Sequence, residues 1–168
     1  SYDNVGIHYM IIFFMFITGI NFSLHFRAIS GDIKSYFRDS EFITYSCIIL
    51  VITIVISISL FINTGNWNLS NLTDSLFQTI AIITSTGYTT ADYELWAFFA
   101  QFLIFILMFV GSMGGSTSGG MKIVRMMLII KYAALETRRM LHAKAIIPIR
   151  IGERFISGDV IRNTLGFF

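Results

Sequence analysis

Three long stretches of the chain are apolar and almost free of formal charge. They run from Val5 to Phe26, from Phe42 to Ile62 and from Leu95 to Val110. A helix needs about 20 apolar residues to cross the hydrocarbon core of a bilayer, and the first two stretches have this length. The third continues, after a glycine-rich interruption, into the apolar sequence MKIVRMMLIIKY. The pattern predicts an all-α integral membrane protein, with Phe42 to Ile62 as its clearest span.

The segment between the second and third stretches contains a shorter helical pattern. After a polar start, apolar residues recur every three to four positions at Leu72, Leu76, Ile80 and Ile83, which predicts a helix over residues 70–84. Such a helix is too short to cross a bilayer. Irregular backbone at membrane depth is tolerated only where it is buried in protein or lines a wet cavity. The sequences TSTGYTT and ADYELW, which follow the helix, therefore favour a re-entrant loop.

The distribution of charge predicts how the chain lies in the membrane. Of the 168 residues, 55% are hydrophobic and 13% are charged, against roughly 25% charged in a soluble domain. The net charge of +2 is too small for a nucleic-acid surface, so we expect the lipid bilayer and no nucleic acid as a partner. Residues 63–96 contain no Lys or Arg, whereas basic residues crowd residues 27–38 and 131–162. The positive-inside rule places 63–96 outside and the two basic segments in the cytoplasm.

The sequence TSTGYTT surrounds one glycine, Gly87, with hydroxyl side chains and resembles the filter of potassium channels. An extended backbone whose carbonyl groups point inward replaces the hydration shell of a potassium ion, and glycine allows the backbone angles that this requires. The preceding helix also directs its negative C-terminal end at the ion. The alternative is an ordinary Thr- and Ser-rich turn. The candidate filter residues are Ser85, Thr86, Gly87, Tyr88 and Thr89, with potassium at the first four.

The sequence GSMGGSTSGG interrupts the third apolar stretch from Gly111 to Gly120. It is either a flexible linker at the membrane surface or an unwound segment inside the membrane that can block or open a pore. A phosphate-binding loop is excluded because Gly120 is followed by Met121 instead of Lys and Ser or Thr. Lys122 and Arg125, just beyond, either contact this loop on its cytoplasmic side or extend to the headgroups. The candidate gating residues are Gly111, Ser112, Gly114, Gly115, Ser116, Thr117, Ser118, Gly119 and Gly120.

The order of these motifs resembles a known family. The sequences TSTGYTTADYELW, FVGSMGGSTSGGMKIVR and AKAIIPIRIGERFISGDVIRNTLGFF are similar to the third repeat of the Trk/Ktr family of potassium transporters, close to its TrkH branch. The first 45 residues, with GINFSLHF and RDSEFITY, are similar to the end of the second repeat and its connection.

The resemblance divides the chain into three parts. Residues 1–41 are the second helix of the preceding repeat with its cytoplasmic connection, and residues 133–168 are a basic linker with the start of the next repeat. Residues 42–132 form one complete repeat. Its parts are an outer helix (42–62), a pore helix (70–84), a filter (85–90) and a broken inner helix (95–132).

The resemblance also implies a function. Family members have four unequal repeats, each contributing one loop to a central filter, and they carry potassium across the bacterial inner membrane as multi-pass proteins. They form homodimers and bind a cytoplasmic, nucleotide-binding TrkA-like regulatory subunit. We therefore expect a fragment of a longer protein, with potassium as the transported ligand, no covalently bound cofactor, and nucleotide only on the partner.

Other functions stay open from the residues alone. One alternative is a secondary transporter that binds a solute at residues 111–120, and another is a membrane anchor without a role in transport. An enzyme is not expected, because no paired carboxylates, metal-ligand cluster, or nucleophile with a base has a usable spacing. Cys47 is the single cysteine, which excludes a disulfide framework within the chain.

Overall fold

The computed structural model describes residues 5–65, 68–141, 149–151 and 154–156, and most of these residues are helical. Of the predicted linker and start of the next repeat (133–168), residues 142–148, 152–153 and 157–168 lie outside the described residues. The predicted all-α class is confirmed, with one short antiparallel strand pair added to it. The elements are α1 (Val5–Thr18), α2 (Phe22–Ile29), α3 (Ser35–Arg38), α4 (Ser40–Thr64), α5 (Leu69–Ile83), a 3-10 turn (Tyr93–Leu95), α6 (Phe98–Leu107), α7 (Ile123–Leu141), β1 (Ile149–Ile151) and β2 (Arg154–Ile156).

Helix α4 corresponds to the clearest predicted span. It begins after Asp39, whose carboxylate accepts hydrogen bonds from the backbone N–H groups of Glu41 and Phe42, and it ends at Gly65 in a left-handed conformation. Among the described residues it is the one helix that is long and apolar enough to cross a membrane by itself. Its outer surface is apolar, as contact with lipid requires. The exposed side chains there include Leu50, Val51, Ile54 and Ile58.

The first predicted span, from Val5 to Phe26, is not one continuous helix. The chain forms two helices, α1 and α2, that are bent by 100° relative to each other. Asn21 starts the second helix, because its side chain accepts a hydrogen bond from the Ser23 N–H at 2.8 Å. The Gly19 carbonyl between the helices is bonded instead to the N–H of Met113. The bend therefore comes from a new helix cap and a distant backbone contact, neither of which the uniformly apolar sequence reveals.

Helix α5 lies at the centre of the fold and packs against α1, α4 and α6. It occupies nearly the predicted range and, at 15 residues, is about 22 Å long. Its C-terminal half is buried almost all round, with Phe77, Ile80, Ala81 and Ile83 in the main apolar core. A helix this short and this buried is held by its neighbours, which fixes the direction in which its C-terminus points.

The third apolar stretch is broken, as predicted, but with different helix ends. Residues Tyr93–Leu95 form a 3-10 turn, so α6 begins at Phe98 instead of Leu95. Helix α6 has ten residues and is about 15 Å long, so the chain leaves the helix well before it has crossed a bilayer. Helix α7 resumes at Ile123 and ends at Leu141, beyond the expected limit at Tyr132.

The packing at the bend between α1 and α2 leaves no room for a side chain at Gly19. A Cβ atom at this position would overlap the Tyr45 hydroxyl and lie 3.0 Å from the Thr84 Cγ2 atom. Overpacking of this kind costs about 1–3 kcal/mol. We expect Gly19→Ala to lower the apparent melting temperature of the full-length parent protein in detergent, measured by the loss of its monodisperse chromatographic peak on heating.

The matched control is the double variant Gly19→Ala with Tyr45→Phe, which removes the oxygen that the new Cβ overlaps. It should recover part of the lost stability. Equal melting temperatures for Gly19→Ala and the unsubstituted protein would contradict the tight packing at the bend.

Candidate functional site

The turn that follows α5 folds its N–H groups back onto the end of the helix. The N–H of Ser85 donates to the Ile82 carbonyl at 2.9 Å, and those of Thr86 and Gly87 donate to the Ala81 carbonyl at 3.0 and 3.4 Å. These bonds satisfy carbonyl groups that a helix end otherwise leaves unpaired. The turn is therefore a direct continuation of α5, and its position is fixed by that helix.

The carbonyl groups of this turn have the opposite arrangement. Within the described residues, the carbonyl oxygens of residues 85–89 accept no hydrogen bond, and all five residues are exposed. The φ angles of Ser85 and Gly87 are positive, at 57° and 73°. Ser85 is the one described non-glycine residue with this backbone conformation, which costs roughly 1–2 kcal/mol. The strained turn thus leaves a row of free carbonyl oxygens on the surface.

Side chains hold both ends of the turn. At the inner end, the Thr86 hydroxyl donates to the Met15 sulfur at 3.0 Å and lies 3.3 Å from the Thr84 hydroxyl. At the outer end, the Thr90 hydroxyl donates to the Asp74 carboxylate at 3.0 Å. Because Asp74 belongs to α5, the same helix fixes the beginning and the end of the turn.

The glycine-rich loop is closed at its base. The Gly111 N–H donates to the Met121 carbonyl at 2.8 Å, and the Met121 N–H donates to the Phe109 carbonyl at 3.2 Å. A Cβ atom at Gly111 would overlap the Gly119 carbonyl oxygen, so a residue with a side chain cannot fit there without movement. The two backbone bonds hold the end of α6 beside the start of α7.

Three serine hydroxyls and one ammonium group fill the inside of the loop. The Ser112 hydroxyl bonds to those of Ser116, at 2.8 Å, and Ser118. The three N–H bonds of the Lys122 ammonium are shared among four acceptors, which are the hydroxyl and carbonyl oxygens of Ser116 and Ser118. Lys122 therefore contacts the loop directly. Arg125, in the first turn of α7, is half-buried, and its backbone N–H donates to the Lys122 carbonyl at 2.9 Å.

The glycine-rich loop packs against the bend between α1 and α2. The Met113 N–H donates to the Gly19 carbonyl, and the Phe22 N–H donates to the Gly115 carbonyl, both at 3.2 Å. Gly115 itself has a φ of 72° and packs against the Asn21 side chain. The break in the first apolar stretch thus supplies the backbone partners that the unwound loop needs.

Glu41 binds the loop from the start of α4. Its Oε1 atom accepts hydrogen bonds from the Gly114 N–H at 2.6 Å and from the Val124 N–H at 3.0 Å. The sequence analysis did not single out Glu41, because RDSEFITY shows only the usual polar start of a helix.

The structure brings the two predicted site segments together. A Cβ atom at Gly119 would lie 3.4 Å from the Ser85 hydroxyl oxygen, so the loop approaches the inner end of the turn. Gly87 lies away from the loop, with no atom within 4 Å of a built Cβ. The bond between Asp74 and Thr90 was missed as well, since a separation of 16 residues has no sequence signature.

The oxygen atoms that the site could offer to a cation belong to main-chain carbonyl and side-chain hydroxyl groups. Among the described residues, no group of three or more His, Cys, Asp or Glu side chains could hold a metal ion. Carbonyl oxygens are the ligands that selectivity filters offer to monovalent cations. Fold and site together define an all-α integral membrane protein whose repeat consists of a helix, a re-entrant loop after a buried helix, and a broken helix.

Comparison with known proteins identifies the family. The family model for TrkH, described as a cation transport protein, matches residues 1–168, and the chain belongs to this family.

Individual relatives agree with this assignment. The chain is 32% identical over 169 residues to the Trk system potassium uptake protein TrkH of Salmonella typhimurium, covering 99% of this chain and 35% of the relative. It is 28% identical over 157 residues to the Trk system potassium uptake protein TrkG of Escherichia coli K12, covering 92% of this chain and 32% of the relative.

A solved structure has the same fold. The crystal structure of the potassium transporter TrkH from Vibrio parahaemolyticus matches with a TM-score of 0.92 and 31% identity, covering 100% of this chain and 37% of the other. The chain thus spans about a third of the length of the relatives it matches.

The bond between Thr90 and Asp74 predicts how firmly the outer end of the turn is held. A hydrogen bond contributes about 1 kcal/mol net, so its loss in Thr90→Val should raise amide exchange in residues 86–92 roughly fivefold through local opening. Hydrogen–deuterium exchange of the full-length parent protein measures this.

Thr137→Val is the control, because within the described residues the Thr137 hydroxyl bonds to a carbonyl of its own helix, that of Ala133. It should leave residues 86–92 unchanged. If Thr90→Val also leaves their exchange unchanged, Asp74 does not hold the turn.

Proposed function

We propose that this chain supplies one of four filter loops and an intramembrane gating loop to a potassium uptake protein of the bacterial inner membrane. The row of free, exposed carbonyl oxygens over residues 85–89 carries this proposal. A potassium ion that loses its water needs such oxygens, and it needs them held at fixed positions before it arrives. The positive φ angles and the bonds to α5 provide that rigidity.

The electrostatics of the site favour a cation. The C-terminal end of α5, which carries the partial negative charge of a helix dipole, adjoins the turn. Outside it, a cavity of about 400 Å³ is lined by residues 89–94 and includes the acidic side chains Asp92 and Glu94. Acidic groups at the mouth of a pore raise the local concentration of cations.

A cation that loses its water needs oxygen ligands around it, and one short loop cannot surround an ion, so a complete filter needs further loops. The relatives are named potassium uptake proteins, and this chain spans about a third of their length. By analogy with the four repeats of the family, the rest of the parent protein supplies the other three loops. On the same basis we propose that the full-length protein forms a homodimer and binds a TrkA-like cytoplasmic subunit, which carries the regulatory nucleotide.

The glycine-rich loop is the proposed gate. Gly119 approaches Ser85 at the inner end of the turn, so residues 111–120 lie where an ion would leave the proposed filter. A loop at that point closes the pore as long as it keeps its folded shape. Lys122 adds a positive charge that opposes the passage of cations when the loop is folded.

The alternative of a solute site at residues 111–120 is less favoured. The hydroxyl groups of Ser112, Ser116 and Ser118 bond to one another and to Lys122. A binding site needs donors and acceptors that are available to the solute, and these are already paired.

Substitution of Gly87 tests the proposed filter. A serine at this position meets no atom but must adopt a φ of 73°, at a cost of about 1–2 kcal/mol. We expect Gly87→Ser to shift the carbonyl oxygens and to reduce the preference for rubidium over sodium roughly tenfold, which corresponds to about 1.4 kcal/mol. The measurement is rubidium uptake with competing sodium, by potassium-starved cells that produce the full-length parent protein.

Gly65→Ser is the matched control, because Gly65 has a φ of 69° and equally open surroundings but lies at the end of α4. At equal membrane abundance it should keep the ion preference. If both variants keep the preference, residues 85–89 are an ordinary turn, and the solute transporter becomes the better hypothesis.

A further inference from the structure

One carboxylate oxygen connects three distant parts of the fold. Glu41 lies in the first turn of α4, and its Oε1 atom accepts from the Gly114 N–H at 2.6 Å and the Val124 N–H at 3.0 Å. These partners are 73 and 83 residues away along the chain. The side chain thus links the start of α4 to the middle of the glycine-rich loop and to the start of α7.

The ordinary role of an acidic residue in a first helical turn does not explain this contact. An acidic side chain there stabilises the helix through its dipole or by capping free N–H groups. In α4 the cap is Asp39, whose Oδ1 atom accepts from the N–H groups of Glu41 and Phe42 at 2.9 and 3.0 Å. The Glu41 side chain is therefore available to bind outside its own helix.

The two N–H groups that Glu41 accepts need a partner that their own segments do not supply. Val124 is the second residue of α7, and the first four N–H groups of a helix have no partner within it. The Gly114 N–H makes no backbone bond within the described residues. Gly114 and Val124 are half-buried, and an unpaired N–H group with little access to water is costly, so an acceptor at the position of Glu41 stabilises the folded loop.

Lys122 reinforces this arrangement from inside the loop. Its ammonium group donates to the carbonyl and hydroxyl oxygens of Ser116 and Ser118. It is also attracted electrostatically to the Glu41 carboxylate. The loop is thus held by a negative group on one side and a positive group on the other, and only the positive group belongs to the loop region itself.

We infer that Glu41 is a positioning residue for the glycine-rich loop: its carboxylate holds residues 111–120 in the folded conformation and thereby keeps the gate closed. The part that concerns ion flow rests on the proposed function. The part that concerns the shape of the loop does not.

Amide hydrogen exchange of the full-length parent protein in lipid nanodiscs tests the inference. Glu41→Ala removes the acceptor, so exchange in residues 111–124 should rise five- to tenfold while the rest of the protein is unchanged. Glu41→Gln keeps an oxygen at the same reach without its charge. It should give an intermediate rise of at least twofold, because hydrogen bonds to a charged acceptor are about twice as strong as neutral ones.

Asp32→Ala is the matched control. Asp32 is an exposed acidic residue in the segment that leads into α4, and its removal should leave the exchange of residues 111–124 unchanged. Unchanged exchange in Glu41→Ala would overturn the inference, as would a rise spread evenly over the whole protein, which indicates general destabilisation. If Glu41→Ala does not reach the membrane, exchange in Glu41→Gln equal to that of the unsubstituted protein would overturn it as well.

Rubidium uptake by the same variants separates this inference from the proposed function. Faster exchange together with increased uptake in Glu41→Ala supports both. Faster exchange with unchanged uptake supports the role of Glu41 in holding the loop, while it shows that the loop is not a gate. A general loss of packing lowers uptake, so an increase cannot arise from structural damage.

Discussion

A backbone N–H or C=O group inside a bilayer has no water to bond, and this constraint governs both irregular segments of the chain. Non-helical backbone at membrane depth requires partners within the protein or a wet cavity. In the turn after α5, the N–H groups of Ser85, Thr86 and Gly87 return to the helix. In the glycine-rich loop, the N–H groups of Gly111, Met113 and Gly114 donate to acceptors outside residues 111–120. The end of α5, the bend at Gly19 and the side chain of Glu41 supply these partners.

The constraint also explains why the preceding segment belongs structurally to this repeat. Breaking the first apolar stretch into α1 and α2 gives up helical hydrogen bonds, but the Gly19 carbonyl and the Phe22 N–H, which no longer have helical partners, are then bonded to the loop. Glu41, at the start of α4, supplies a third contact. The loop between α6 and α7 is thus folded against residues that come some 70 to 100 positions earlier. An isolated α6–α7 hairpin would lack these partners.

The sequence predicts the features that follow from local pattern. The apolar run of α4 and the three-to-four spacing in α5 correspond to the observed helices, and the glycines of residues 111–120 mark the observed break. The motifs also predicted the family that the comparisons show. Contacts between distant residues could not be predicted in this way. Gly19 is one small residue in an apolar run, and nothing in RDSEFITY connects Glu41 to Gly114. The roles of residues 85–89 and 111–120 stay predictions.

The turn after α5 and the glycine-rich loop differ in which of their polar groups have hydrogen-bond partners. In the turn, the N–H groups of Ser85, Thr86 and Gly87 are bonded to α5, whereas the carbonyl oxygens of residues 85–89 accept no hydrogen bond within the described residues, so the turn offers negative partial charge to an external partner. In the loop, the three serine hydroxyl groups are bonded to one another, and the N–H groups of Met113 and Gly114 are bonded to Gly19 and Glu41. The serine hydroxyl groups are therefore not available to a ligand while the loop is folded in this way. The proposed filter requires free carbonyl acceptors, which the turn has, and the proposed gate requires a folded loop beside them, which residues 111–120 form.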